Sequence, residues 1–456
     1  MSSKLSRRNL LKQMGLAAGA SLPLGSWATS PSGYNIELPD DPRHIRLDKP
    51  VTAITIGAGN RGNVYGNYAA EFPGKLDIVG VAEPIAIRDE RYASKHKIEA
   101  ANRFHTWEDV FKKPKFADAV IISTPDNLHY GPCIAALNAG YHILLEKPIS
   151  PSEKECREIL RLAKKTGKVV GVCHVLRYAP YFVKLKEIVQ SGVLGKVASI
   201  QHFEPIGFVH MSHSYVRGNW HNSEKTTPII LAKSCHDLDI IRWMLEKPCI
   251  KVNAFADLKW FKKENDPAGS TARCMDGCAI EAKCPYSALR IYHRDRKRLY
   301  VFDLPEDESK HSEAILHYLK TTDYGRCVYK MDNDQPDHYT TNLLFQDNIT
   351  AAFSMEAFTS YEGRRTRVMG SLGDVVGDME SMVHTDFQTG KKDTWKQTTD
   401  MHGGGDWRLA ENWVQAVAQQ NPGLLTSTID ASIESHIMAF MAEKSRKQLQ
   451  TMDVIV

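Results

Sequence analysis

The sequence lacks several features that would decide its class outright. Beyond the N-terminal leader, no stretch approaches about 18 uninterrupted apolar residues, the length of a bilayer-spanning helix, so no stable membrane association is expected. Neither sign of charge is in large excess: 58 Lys and Arg against 54 Asp and Glu leave +4, part of it in residues 1–30. There is no long basic block and no basic–aromatic stripe, which excludes nucleic acid as a partner. The glycine run 402–405 has no G-x-S-x-G companion, which removes a serine hydrolase. What remains is 42% hydrophobic and 25% charged over 456 residues, a soluble globular composition too long for one core and suited to two domains.

Residues 1–30 read as a signal peptide. Lys4, Arg7 and Arg8 make a positive start, Leu10–Leu24 is short and weakly apolar, and mostly small residues follow from Gly25 to Thr29. The run from Ser6 to Lys12 resembles the twin-arginine export signal, with Leu10 where that motif often has Phe. An ordinary basic–apolar leader for unfolded chains is the alternative. No cysteine follows the apolar stretch, so no lipid anchor is expected there. The twin-arginine resemblance implies the export machinery for folded proteins as a partner, and a periplasmic destination.

Residues 49–172 read as a dinucleotide-binding unit. Val51–Ile56 is an apolar, β-branched run that ends directly in Gly57-Ala58-Gly59-Asn60-Arg61-Gly62, with helix-compatible residues to about Glu71. Leu76–Glu83 is a second buried strand. The glycines permit a tight turn and let the backbone approach a pyrophosphate at a helix N-terminus. Glu83 stands about twenty residues on, where a Rossmann fold places its ribose-binding carboxylate. A glycine turn in an unrelated α/β unit is the bland alternative. Glu83 would repel a 2′-phosphate, which favours NAD over NADP, while Arg61 and Arg88 pull the other way. The rhythm continues with a strand and loop over 117–125, a helix over 129–140 and a strand over 141–148. A helix capped by Ser152 and closed by Gly167 follows, then a strand over 168–177. Ligands of a doubly wound parallel sheet sit at the carboxyl ends of the strands. The loops beginning at Gly57, Thr124 and Lys147 are therefore expected to converge on one crevice.

The stretches GAGNRG, STPDNLH and LLEKPIS, in this order and spacing, resemble the glucose–fructose oxidoreductase, inositol dehydrogenase and rhizopine-catabolism (Gfo/Idh/MocA) family over about residues 50–445. The resemblance implies NAD contacts from Gly57, Gly59, Asn60, Arg61, Gly62, Glu83, Ser123, Thr124, Pro125, Asn127, His129 and Glu146. It places Lys147 beside the nicotinamide and the substrate; the plain reading is a solvated lysine at a strand end.

Residues 173–456 turn β-rich and alternate in places, consistent with an α+β domain that has an open, largely antiparallel sheet and C-terminal helices. Asp406 is a candidate N-cap for a helix with Leu409, Trp413 and Val417 on one face. Tyr215, Arg217, Asn219 and Trp220 offer donors, a charge and an aromatic face for gripping a sugar. A surface loop with a packed Trp is the competing reading. In 231–245, apolar positions 238, 241, 244 and 245 predict a buried helix with His236 and Asp237 at its start. A histidine there is more often a cap or core partner, but the resemblance makes His236 catalytic. It also adds Arg177, Tyr178, Lys233 and Asp237 to the substrate side. Many relatives carry an aspartate four residues before the histidine. Here that residue is Ala232, so the proton relay of simple polyol dehydrogenases is altered.

Of nine cysteines, Cys274, Cys278 and Cys284 cluster at short spacing. Thiolates so spaced suit zinc or an iron–sulfur cluster, and disulfides or free thiols are the alternatives. The resemblance implies Cys327 as the fourth member.

The resemblance and the leader together imply an exported, two-domain NAD-dependent oxidoreductase acting on a secondary hydroxyl of a saccharide or glycoside. Its cofactor must be held tightly, because none is available outside to replace it. Either hydride passes between two sugars, or a ring hydroxyl is oxidised, the aglycone eliminated and the hydride returned, which is net glycoside hydrolysis. A sugar- or nucleotide-binding module without turnover is the reading from another class, and it has no need of both Lys147 and His236. Family analogy implies a homo-oligomer through the open sheets.

Overall fold

The computed structural model describes residues 47–397 and 404–456. The leader and His402 lie outside the described residues. Six parallel strands form the first sheet: β1 Val51–Ile56, β2 Leu76–Ala82, β3 Arg103–Phe104, β4 Ala119–Ile122, β5 His142–Leu145 and β6 Val170–Val172. They lie in the order β3-β2-β1-β4-β5-β6. Strands β4 and β5 are buried along their whole length because helices cover both faces. One face packs on α1 (Asn60–Glu71) and α2 (Ala86–His96), the other on α3 (Tyr130–Asn138) and α4 (Glu153–Thr166). Ser152 caps α4 through the Glu155 N–H at 3.4 Å, and Gly167 ends it in the left-handed region, as expected. The strand expected over 168–177 is shorter: only Val170–Val172 is laddered. Beyond it Arg177 is drawn into a buried pair with Asp239, and the backbone curls into a 3-10 turn at Val175–Tyr178.

The second sheet is built from β7 (Val197–Pro205), β8 (Cys249–Asp257), β9 (His338–Phe345), β10 (Thr350–Glu356) and β11 (Arg365–Gly370). It continues through β12 (Gly373–Gly377), β13 (Ser381–Asp386), β14 (Lys392–Lys396) and β15 (Met452–Asp453). Their order is β14-β13-β12-β11-β7-β10-β9-β8-β15; β7 and β10 run parallel and the other pairings are antiparallel. Burial alternates: Tyr339, Thr341, Leu343 and Phe345 of β9 are buried while Thr340 and Asn342 are exposed. The buried face packs on α5 (Pro180–Gln190) and α6 (Cys235–Leu245). The other face is open and shows Phe255 and Val376. Between β8 and β9 the chain leaves the sheet for an insertion, residues 258–337, which carries α7 (His311–Thr321) and its own small apolar cluster around Tyr292 and Phe302.

Two C-terminal helices join the domains. On α8 (Gly405–Ala418), Leu409, Trp413 and Val417 are buried against the parallel sheet, and the Trp413 indole donates to the Ile143 carbonyl at 2.9 Å. The N-cap of α8 is Gly404, not Asp406, because Asp406 turns its carboxylate to Arg61 at 2.7 Å. On α9 (Ile429–Gln448), Ile429, Ile433 and Ile437 pack on the parallel sheet, and Met438, Ala439 and Ala442 enter the core of the second. Among the described residues, no helix is long and apolar enough to cross a membrane.

Buried histidines make this fold acid-sensitive. Burial pushes His142 down from 6.5 to about 4, with Lys168 and Lys115 adding to it. Burial likewise takes His213 and His436 to about 3. Each favours the neutral ring in the folded state, so its contribution is present above pH 6.5 and is lost as pH falls toward about 4 for His142 and about 3 for His213 and His436. The thermal midpoint by circular dichroism is expected to lie roughly 5 °C or more lower at pH 5 than at pH 7.5. An unchanged midpoint would mean that the rings protonate in place without cost.

Candidate active site

The turn after β1 is shaped by its glycines. Gly57 has φ +92°, and a Cβ there would stand 2.8 Å from the Ser123 carbonyl oxygen. A Cβ on Gly62 would stand 2.2 Å from the Gly57 oxygen, so α1 packs against the turn only because that position is bare. In front of Gly59 there is space: its nearest atom is Nη1 of Arg88 at 3.9 Å. Gly59 is also the N-cap of α1 and supplies no capping side chain, which leaves the first helical N–H groups for an anion. Glu83 ends this strand unit, accepting from the Ala58 N–H at 2.8 Å and the Ile85 N–H at 2.9 Å. Each carboxylate oxygen retains a further acceptor site for a ribose hydroxyl. A bare cradle, a free helix start and an acid beyond them fit a dinucleotide. Asn60, Pro125 and Asn127 are exposed at the lip, and the Ser123 hydroxyl bonds the Gly57 carbonyl at 2.7 Å.

Three of the expected cofactor residues serve as braces instead. Arg61 lies between Glu146 at 2.5 Å, Asp406 at 2.7 Å and the Tyr65 hydroxyl at 2.7 Å, so it is not turned to a phosphate. Glu146 is buried; burial pushes its carboxyl up, but Arg61 and the Tyr65 hydroxyl overrule this and hold it below its ordinary value. His129 is also buried, with Nδ1 2.7 Å from the Pro148 carbonyl and Nε2 2.9 Å from that of Thr124. It ties together the two loops that flank the crevice.

Lys147 projects from the end of β5 and donates to the Ala232 carbonyl at 2.7 Å. Ala232 occupies the position where the expected aspartate is missing, and it offers the lysine its backbone oxygen instead of a carboxylate. His236 sits in the first turn of α6, four residues after Ala232, which ends the short helix Ile229–Ala232 just before it. The two residues singled out for chemistry therefore share one wall. Behind His236 the rings of His174 and His436 follow at centroid distances of 5.7 and 5.5 Å. Burial, with Arg177 and Lys147 nearby, drives His174 well below its ordinary value and keeps that ring neutral.

The substrate-side candidates divide. Trp220 stacks on Tyr215 at 5.9 Å and donates from its indole to Asp126 at 2.8 Å, closing the gap between the two domains. Lys233 pairs with Glu204 at 3.0 Å, and Asn219 is exposed. The other four are interior supports. Arg217 ends a π-helical turn, Met211–Arg217, and bonds the carbonyls of Arg326 and Tyr286, each at 2.7 Å. Arg177 grips Asp239 with two bonds of 2.6 and 2.7 Å. Tyr178 bonds Ser427 at 3.0 Å and Asn412 at 3.1 Å. Asp237 is fully buried between Arg364 at 2.5 Å and His202 at 3.0 Å. Buried charges need partners, and these have found theirs inside the protein. Asp126, Glu204 and Arg364 were not foreseen. Asp126 lay in plain view within STPDNLH, whereas Arg364 stands 127 residues from Asp237 with no local signal.

Cys274, Cys278, Cys284 and Cys327 line one small cavity, brought together by a strand bridge between Arg273 and Arg326. All nine cysteines are free thiols. Among the described residues, no three His, Cys, Asp or Glu side chains stand in metal-ligating geometry, so the expected zinc or iron–sulfur cluster finds no ready site. The thiols are instead absorbed locally: burial pushes Cys284 and Cys327 up toward the neutral form, and the Cys274 sulfur accepts from the Ala288 N–H at 3.4 Å.

Comparison with known proteins agrees with this architecture. The signature of an oxidoreductase family's NAD-binding Rossmann fold matches residues 51–174, and that of the same family's C-terminal alpha/beta domain matches residues 186–456. The chain is 24% identical over 264 residues to the putative oxidoreductase YteT of Bacillus subtilis, covering 57% of this chain and 59% of YteT. It is 26% identical over 193 residues to inositol 2-dehydrogenase of Salmonella typhimurium, covering 42% of this chain and 54% of that enzyme. The alignments thus span little more than half the length of these curated relatives. The structure of levoglucosan dehydrogenase in complex with NADH and levoglucosan shares the fold, with a TM-score of 0.65 at 14% identity over 90% of this chain and 100% of its own. With both signatures matched in order along most of its length, the chain belongs to the Gfo/Idh/MocA oxidoreductase family.

Proposed function

We propose that the protein is an NAD-dependent oxidoreductase acting on a secondary hydroxyl of a saccharide or glycoside. One observation carries this reading: the Lys147 ammonium is held to the Ala232 carbonyl, four residues before His236 in the chain, at the carboxyl edge of the parallel sheet. Bound NAD supplies the acceptor for the hydride. The residues supply the rest. His236 takes the hydroxyl proton, and the positive charge of Lys147 stabilises the oxygen as it becomes negative. The Tyr215–Trp220 stack gives a ring platform, and Asp126 fixes its tilt. Inositol 2-dehydrogenase and levoglucosan dehydrogenase bear names that fit a polyhydroxylated substrate. The basic, weakly apolar leader supports export to the periplasm by the twin-arginine route, with NAD loaded beforehand and retained. The open sheet face with Phe255 and Val376 supports a homo-oligomer.

The test adds no NAD. Purified protein is mixed with free sugars and chromogenic glycosides, and reduced-nicotinamide absorbance and aglycone release are followed together. A single stoichiometric burst of reduced cofactor, reversed by a keto sugar, is the expected result. Sustained aglycone release without lasting reduced cofactor would replace it with a redox-neutral glycosidase. Silence in both channels, with no nucleotide released on denaturation, would overturn the reading.

A further inference from the structure

The insertion between β8 and β9 reaches back to the nucleotide domain. Its residue Asp303 accepts from Nε of Arg88 at 2.8 Å, and the next carbonyl, Leu304, accepts from Arg91 at 2.9 Å. Both arginines lie on α2, the helix that follows Glu83. Arg88 is placed for more than a surface ion pair. Its Nη1 is the nearest atom to the open side of Gly59, so the guanidinium bridges the cofactor cradle and the insertion. Both partners of the Arg88–Asp303 pair are half-buried, with side-chain exposures of 30% and 24%.

This arrangement bears on which dinucleotide the cradle accepts. A 2′-phosphate needs a cation beside the ribose, and two arginines stand in reach of this turn. Arg61 is consumed by Glu146 and Asp406. Arg88 is consumed by Asp303, which lies in a different domain from the fingerprint. With Glu83 adding its own negative charge, the rim around Arg88 carries two carboxylates against one guanidinium. Asp303 decides that balance. Without it, Arg88 would be an unpaired cation at the edge of the cradle.

We propose that Asp303 is a cofactor-specificity residue: it neutralises Arg88 from the insertion and so sets the Rossmann domain's preference for the unphosphorylated ribose of NAD. The inference rests on the NAD reading above. No sequence window around the glycines contains it, because Asp303 lies 215 residues from Arg88.

The test reads binding, not turnover. Wild type, Asp303→Asn, Asp303→Glu and the double variant Asp303→Asn/Arg88→Ala are each incubated to equilibrium with an equal excess of NAD and NADP. The proteins are then desalted and denatured, and the two retained nucleotides are quantified. The retained NADP-to-NAD ratio is expected to rise about fivefold or more in Asp303→Asn, the scale of one partly exposed charge. Asp303→Glu should keep the wild-type ratio, and the double variant should return toward it, because the gain needs a freed Arg88. An unchanged ratio in Asp303→Asn, with NAD still retained, would overturn the inference alone. Retention of neither nucleotide by wild type would overturn the cofactor reading, and this inference with it.

Discussion

Replacing Lys147 with methionine is expected to lower kcat/KM about a thousandfold, or ~4 kcal/mol of transition-state stabilisation, while the protein still retains NAD. Methionine keeps the length and the apolar stem of the side chain but removes the charge. The wild-type ammonium donates to the Ala232 carbonyl, in the second domain and not in the glycine turn. Two consequences follow from that position. The developing alkoxide loses a cation placed to meet it, which acts on the chemical step. The cradle of Gly57, Gly59 and Gly62 is untouched, so nucleotide content after desalting should match wild type. His236→Asn should produce a loss of similar kind, because without the base the hydroxyl proton has no acceptor. Turnover lost with NAD retained would sink a pure sensor, which needs neither group. Loss of NAD from Lys147→Met would instead assign the lysine to cofactor binding.

Much of the first domain was legible because its signals are local. The strand Val51–Ile56, the three glycines and Glu83 lie within 33 consecutive positions, from 51 to 83, and each encodes a backbone requirement that only a few residue types meet. Lys147 and His236 were legible as candidates only through the family's motifs. A lysine at a strand end and a histidine at a helix start are ordinary on their own. What the sequence hid is the division of labour among charged residues. Arg61, Arg177, Arg217 and Asp237 all looked like ligand-gripping groups, and all four are spent on internal partners far away in the chain. Nothing local distinguishes a charge that will be buried and paired from one that will face a ligand. The cysteine cluster shows the same limit in a different chemistry. Spacing brought four thiols to one cavity, but ligation depends on where the sulfurs point, which spacing does not encode.

Outside the proposed catalytic wall, Arg364 is expensive to remove; it lies just before β11 in the buried layer beneath α6. Its guanidinium meets Asp237 at 2.5 Å and Glu204 at 3.0 Å, and both carboxylates are nearly or fully excluded from water. Burial pushes the Asp237 carboxyl up, but Arg364 and His202 reverse this and hold it well below the ordinary carboxylate range. By linkage, the stability it contributes is present above the ordinary value and is lost as pH falls through the lowered one. In Arg364→Met, His202 alone remains to Asp237 and Lys233 alone to Glu204, and one buried negative charge is left uncompensated. The expected cost is about 3–5 kcal/mol, read from urea unfolding followed by circular dichroism. Arg364→Lys should recover only part of it, because a single ammonium cannot satisfy two carboxylates as the planar fork does. Adding Asp237→Asn to Arg364→Met should also recover part, since it removes the stranded charge along with its partner. Because Asp237 follows His236 on α6, the single variant should lower kcat as well, through displacement of the base. A cost below about 1 kcal/mol, the range of a solvated surface pair, would show that water reaches this cluster and that Asp237 is open to a substrate after all.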